Sequence, residues 1–85
     1  MRSRKRVPPE AKIIGSNLKT LRKRAGLSQI EIGNRLNVTF QQIQKYESGQ
    51  NRLPIEKLYT LKYLYDVPYE YFFVGIEKFY VQQIL

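Results

Sequence analysis

Small and apolar residues recur along this chain at helical spacing, most sharply in GLSQIEIGNRLNVTFQQIQKYESG, residues 26–49. Ser28 is placed to accept a hydrogen bond from an orphan amide of a first helical turn, and Glu31, three positions on, completes a capping box. In the helix that follows, SQIEIGNRL, Ile32 and Leu36 share one face. Gly33 costs about 1 kcal/mol against alanine in a helix interior, which points to another helix packed closely on it. Asn37 stands where the chain must turn sharply, and asparagine tolerates the left-handed backbone region better than most residues. Val38 plugs the corner, Thr39 caps a second helix, TFQQIQKYES, and Gly49 ends it. That second helix buries Ile43 and Tyr46 and turns Phe40, Gln41, Gln44 and Lys45 the other way.

The flanks supply the rest of an all-α fold. Ile14, Leu18, Leu21 and Ala25, at spacings of four, three and four, predict a helix over about 13–24 that Gly26 terminates, with Lys19, Lys23 and Arg24 off the stripe. Residues 1–12, MRSRKRVPPEAK, show no apolar periodicity, and Pro8 and Pro9 oppose helix, so a basic flexible arm is expected there. After the polar loop QNR, Pro54 suits the start of a fourth helix carrying Leu58, Leu61, Leu64 and Tyr65 inward, with Asp66 near its end. Pro68 starts a short fifth helix, YEYFF, followed by Gly75 and an extension, residues 76–85, in which Ile76, Phe79, Tyr80 and Ile84 share a stripe. The expectation is a five-helix bundle over residues 13–75 with a helix-turn-helix inside it and a short C-terminal extension.

Composition narrows the chemistry. Eighty-five residues, 42% of them hydrophobic, make one small domain. Without cysteine or histidine there is no disulfide, thiolate metal site or imidazole catalysis, and the scattered carboxylates lack a paired spacing, so no catalytic residue, metal or cofactor is expected. No apolar run approaches the roughly 20 residues that span a bilayer, and the basic N-terminus leads into charge and proline, so a soluble, intracellular protein is expected. Charge is unevenly spread: residues 1–52 hold twelve basic and three acidic side chains, net +9, whereas residues 53–85 carry net −1. The positive field coincides with the two turn-linked helices, as a phosphate-binding face requires, although a solvated basic surface has the same composition. Arg2, Arg4, Lys5 and Arg6 either follow a minor groove or phosphates, or form a passive polycation.

The series IGSNLKTLRKRAGLSQ, IGNRLNVT, IQKYESGQNRLP and LYTLKYLYDVPYEYFF closely resembles the lambda repressor-like family of DNA-binding domains, the Cro and repressor type also called the XRE family, over about residues 13–75. Gly33 stands where that family usually has alanine, and Asn37 where it usually has glycine; both fit the same backbone. The resemblance implies that the second helix of the motif enters the major groove and that Phe40, Gln41, Gln44 and Lys45 read base edges. Glutamine pairs bidentately with adenine, lysine donates to guanine, and Phe40 either packs on a thymine methyl or folds back onto the protein. Phosphate contacts are expected from Gln29 and the amide end of its helix, from Gln50, Asn51 and Arg52, from Lys19 or Lys23, and from Gln42, whose alternative is a contact to Gln29. Arg22 and Glu47 look like the family's paired charges, tying the first helix to the end of the recognition helix; the alternative for Arg22 is a phosphate contact.

Eleven aromatic residues, seven of them tyrosine, lie mostly after residue 58 and exceed what so small a core can take. Tyr69, Tyr71, Phe73, Phe79 and Tyr80 therefore suggest a homodimer through the fifth helix and the extension, with packing back onto the same bundle as the alternative. The resemblance then implies a transcription regulator on double-stranded DNA, a repressor by default, acting in the cytoplasm at the nucleoid and bound as a dimer to an inverted repeat. A second reading is an antitoxin-like or adaptor protein that also holds a protein partner at its aromatic C-terminal face. An enzyme is not expected.

Overall fold

Helix α1 spans Pro9–Arg24 and so begins earlier than the apolar stripe predicts. Pro8 is extended, with φ −67° and ψ 154°, and the second proline occupies the opening of the helix, where its missing N–H would lack a partner anyway and its fixed φ is already helical. The expectation of an arm over residues 1–12 is thus corrected for residues 9–12, which are helix. The structure is a computed structural model that describes residues 7–78 and 80; the remainder of the arm, residues 1–6, lies outside them.

Three further helices follow, α2 at Gln29–Leu36, α3 at Phe40–Ser48 and α4 at Ile55–Tyr65, and a fifth, a 3-10 helix, at Tyr69–Phe73. No strand occurs among the described residues, and the all-α expectation of five helices before the extension holds, with residues 76–78 and 80 of the extension helical as well. The turns are built as the sequence predicts. The Ser28 hydroxyl accepts from the Glu31 amide at 3.0 Å while the Ser28 amide donates to the Glu31 carboxylate at 2.7 Å. Asn37 adopts the left-handed conformation at φ 61°, and the Thr39 hydroxyl accepts from the Gln42 amide at 3.2 Å.

The core gathers Leu18 and Leu21 of α1, Ile32 and Leu36 of α2, Ile43 and Tyr46 of α3, Leu58 and Leu61 of α4, and Phe72 of the 3-10 helix. Two glycines let the backbones meet. A Cβ on Gly15 would lie 2.0 Å from the Tyr46 carbonyl oxygen and 3.0 Å from that of Glu47, so α1 rests directly on the backbone of α3. A Cβ on Gly33 would stand 2.7 Å from the Val38 carbonyl oxygen, so the close approach is there, but it is made by the backbone of the turn into α3 and not by another helix as expected.

Two apolar expectations fail for geometric reasons. Ala25 is the exposed C-cap of α1 and does not extend the stripe. Leu64 is 44% exposed, because two steps of three residues at 100° each leave it about 120° from Leu58, whereas Tyr65, seven positions on, returns to that face and is half-buried. The fully buried Phe72 instead closes the bottom of the core, and the Asn17 amide fastens its segment to α1 by donating to the carbonyls of Phe72 at 2.8 Å and Val74 at 3.0 Å. Tyr71, expected at a dimer face, is corrected: it packs half-buried on its own core, its ring edge-on to Phe72 at 5.4 Å. Tyr80 is exposed, but its hydroxyl donates to the Glu10 carboxylate at 2.5 Å, returning the extension to the first turn of α1 at that point. Phe79 lies outside the described residues.

Gly15→Ala is expected to cost about 3 kcal/mol in urea unfolding, because the new methyl must push α1 off α3, while the exposed neighbour Ser16→Ala stays within about 0.5 kcal/mol. Equal effects from both would contradict the backbone contact. The Ser28 amide and hydroxyl hold the Glu31 carboxyl below the ordinary glutamate range. The capping box therefore stabilises fully at neutral pH and is lost as pH falls through the lowered value, so Glu31→Gln should make the acid fall of stability shallower. An unchanged pH profile would show that the box is energetically idle.

Candidate nucleic-acid interface

Helix α3 divides cleanly. Ile43, Tyr46 and Glu47 are buried against the bundle, and Phe40, Gln41, Gln44 and Lys45 are exposed along the other side. The alternation follows from the 3.6-residue period, so the four sequence-predicted reading residues lie on one outward surface. Phe40, in the first turn, is 38% exposed.

What fixes the direction of that surface is an ion pair at the inner end of the helix. The Arg22 Nε donates to Glu47 Oε2 at 2.6 Å and Nη2 donates to Oε1 at 3.2 Å, a two-pronged bond between side chains only 11% and 5% exposed. The third guanidinium nitrogen, Nη1, donates to the Leu27 carbonyl at 3.0 Å, and the Gln29 amide donates to Glu47 Oε1 at 3.1 Å. Arg22 and Glu47 thus join α1, the loop before α2, the start of α2 and the end of α3 in one network. Such shielding leaves little room for Arg22 to reach a phosphate.

The expected phosphate contacts divide. Lys19 and Lys23, one turn apart on α1, and Gln50 and Arg52 in the loop after α3 are exposed cations and donors. Gln29 donates one amide hydrogen to Glu47, and the amide end of α2 carries the Glu31 carboxylate on the Ser28 N–H, which sets a negative charge where a phosphate was expected. Gln42 does not meet Gln29; its amide donates to the Asn51 side-chain oxygen at 3.0 Å. Asn51 in turn donates its backbone N–H to the Lys45 carbonyl at 3.2 Å, so the loop runs back along α3 instead of leaving its end.

Sequence reasoning missed three residues that hold this face. Gly15 and Asn17 act as described above. Lys57 of α4 is half-buried and donates to the Leu36 carbonyl at 2.8 Å, placing a cation at the negative end of the α2 dipole. The partners are 21 positions apart, so no local pattern announces the bond. Among the described residues no group of three or more acidic side chains is gathered to hold a metal, and no helix is long and apolar enough to cross a membrane.

Comparison with known proteins is consistent with this geometry. Residues 18–72 match the helix-turn-helix family. Over 60 residues the chain is 42% identical to an HTH-type transcriptional regulator of Sinorhizobium medicae, covering 71% of this chain and 43% of that protein. It is 38% identical over 65 residues to a transcriptional regulator in the ATPase CF(0) region of Rhodospirillum rubrum, 76% of this chain and 60% of the other. An HTH-type transcriptional regulator of Rickettsia conorii is 37% identical over 65 residues, 76% of this chain and 52% of its own. The matched segment spans about half the length of these relatives.

Removing either partner of the Arg22–Glu47 pair strands a buried charge, so Arg22→Ala and Glu47→Ala are each expected to cost about 3–5 kcal/mol in unfolding free energy. The double variant should lose far less than the sum. Additive losses in the double-mutant cycle would contradict a coupled pair.

Proposed function

Because the chain belongs to the XRE-type helix-turn-helix family of transcriptional regulators, we propose that it is a sequence-specific DNA-binding repressor that docks α3 in the major groove. The observation that carries this reading is the outward row of Phe40, Gln41, Gln44 and Lys45 on a helix whose opposite side is buried and ion-paired. Gln41 and Gln44 have the paired donor and acceptor that match adenine, Lys45 donates to guanine acceptors, and Phe40 offers an apolar face to a thymine methyl. Lys19, Lys23, Gln50 and Arg52 then settle on phosphates and set the register without reading sequence. Repression follows from occupying a promoter, and DNA as the target places the protein in the cytoplasm. Arg2, Arg4, Lys5 and Arg6 add charge to the same stretch of the sequence.

The DNA-bound form is a homodimer on an inverted repeat, its half-sites about 34 Å apart, one helical turn. Exposed aromatic surface on the near-neutral half supports this. Tyr69 and Phe73 are each 40% exposed, and α4 adds Tyr59 and Tyr63, whose rings stack at 6.5 Å. Lys62 reaches over the Tyr69 ring at 5.1 Å and so links α4 to the 3-10 helix beneath this surface. The same aromatic surface favours the second reading, an antitoxin-like or adaptor protein that holds another polypeptide there.

Selection from random duplex DNA is expected to enrich a symmetric site. On that site Gln41→Ala should relax preference at one base position per half-site, while Arg52→Ala should weaken all sequences alike and lower the salt slope by about 1. No enrichment, or an affinity indifferent to salt, would sink the reading. Sedimentation of the free chain and of its DNA complex checks the dimer; one protein per duplex would refute it, and a stable complex with a different polypeptide would favour the second reading.

A further inference from the structure

Gln42 lies on the recognition helix among residues proposed to touch DNA, yet its side chain is engaged within the protein. The Gln42 amide donates to Asn51 Oδ1 at 3.0 Å, and the other hydrogen bonds of Asn51 are also internal: its Nδ2 donates to the Gln50 carbonyl at 2.9 Å and its backbone N–H to the Lys45 carbonyl at 3.2 Å. Ser48 adds a third attachment, its hydroxyl accepting from the Gln50 amide at 3.3 Å. The loop after α3 is therefore fastened at two levels of the helix, beside Gln42 in the first turn and beside Lys45 one turn later. Immediately beyond the fastened Asn51 stands the exposed Arg52, which lines a small cavity with Pro8, Glu10 and Ala11 at the start of α1.

We infer that the Gln42–Asn51 hydrogen bond is a positioning device: it holds the loop against the recognition helix so that Arg52 meets a phosphate in fixed register with the bases read by Gln41, Gln44 and Lys45. Gln42 acts through Asn51 and makes no phosphate contact of its own. One of the two amide hydrogens of Gln42 is committed to Asn51, and the one that remains is a neutral donor, weaker toward a phosphate than the charged Arg52 guanidinium. The guanidinium supplies the charge that neutralises the phosphate, and the amide pair supplies its placement. The inference rests on the DNA-binding reading given above, but the bond itself exists in the free protein and is testable there.

The test is a set of variants of the full chain, Gln42→Ala, Asn51→Ala, Arg52→Ala and their pairs, titrated with the duplex recovered by selection at several salt concentrations. Gln42→Ala and Asn51→Ala should each weaken binding roughly three- to tenfold, the range of one neutral hydrogen bond, and the pair should weaken it no further than either alone. Both should also lower the salt slope toward that of Arg52→Ala, by up to about 1, and have little effect once Arg52 is removed. A loss merely due to instability would not move the salt slope selectively, and unfolding midpoints check that the variants remain folded. Additive effects with an unchanged slope would overturn the inference by making Gln42 a direct, neutral phosphate donor. In the free protein, amide exchange at Asn51 should be slow and should quicken in Gln42→Ala; unchanged exchange would overturn the lock, whereas failure of the wild-type chain to bind any duplex would overturn the DNA-binding reading and leave exchange to judge the lock.

Discussion

A guanidinium and a carboxylate meet behind the recognition helix, and much of the structure can be traced from that contact. Arg22 reaches across from α1 to Glu47 with two hydrogen bonds and holds the Leu27 carbonyl with a third, while Gln29 brings α2 to the same carboxylate. Burying two charges is costly, and it is tolerable here because every prong of the bond is used. The arrangement leaves α3 little freedom to roll. Since a residue on a helix turns through 100° per position, rolling by a fraction of a turn would exchange Gln41 for Gln42 at a groove, so angular definition is what separates a reading surface from a merely basic one.

Packing reinforces the same constraint from the other side. The absence of a side chain at Gly15 allows α1 to sit on the carbonyls of Tyr46 and Glu47, next to the ion pair, and the absence of one at Gly33 folds the turn against α2. Phe72 then fills the space below, secured to α1 by Asn17. The exposed tyrosines fall in the near-neutral stretch of the sequence, residues 53–85.

Much of this is legible in the sequence, and the boundary of legibility is physical. Caps and left-handed turns are local, so Ser28, Glu31, Asn37, Thr39 and Gly49 announce their roles within a few residues. The faces of α2 and α3 follow from spacing, because both helices are short and flanked by unambiguous turns. Contacts between distant residues carry no such signature: Lys57 on the end of α2, Asn17 on the 3-10 helix and Gln42 on Asn51 each depend on how elements pack. The paired charges were legible only through resemblance, since neither Arg22 nor Glu47 differs locally from a solvent-facing residue. Pro8 and Pro9 misled because proline opposes the interior of a helix but favours its first position, and spacing cannot tell which applies. YEYFF misled in part because a 3-10 turn buries a different subset of its aromatics from the one an exposed cluster suggests, taking Phe72 and Tyr71 inward.

The central claim is that α3, held from behind by the Arg22–Glu47 pair, is the surface that meets DNA. Amide chemical-shift mapping of the isotope-labelled chain, titrated with a duplex carrying its selected site, tests it most directly. The account predicts that the largest shifts fall in residues 40–45 and 50–52, with smaller ones around Lys19 and Lys23 and little change along the outer face of α4. Shifts concentrated on α4 and the 3-10 helix, with α3 undisturbed, would contradict it.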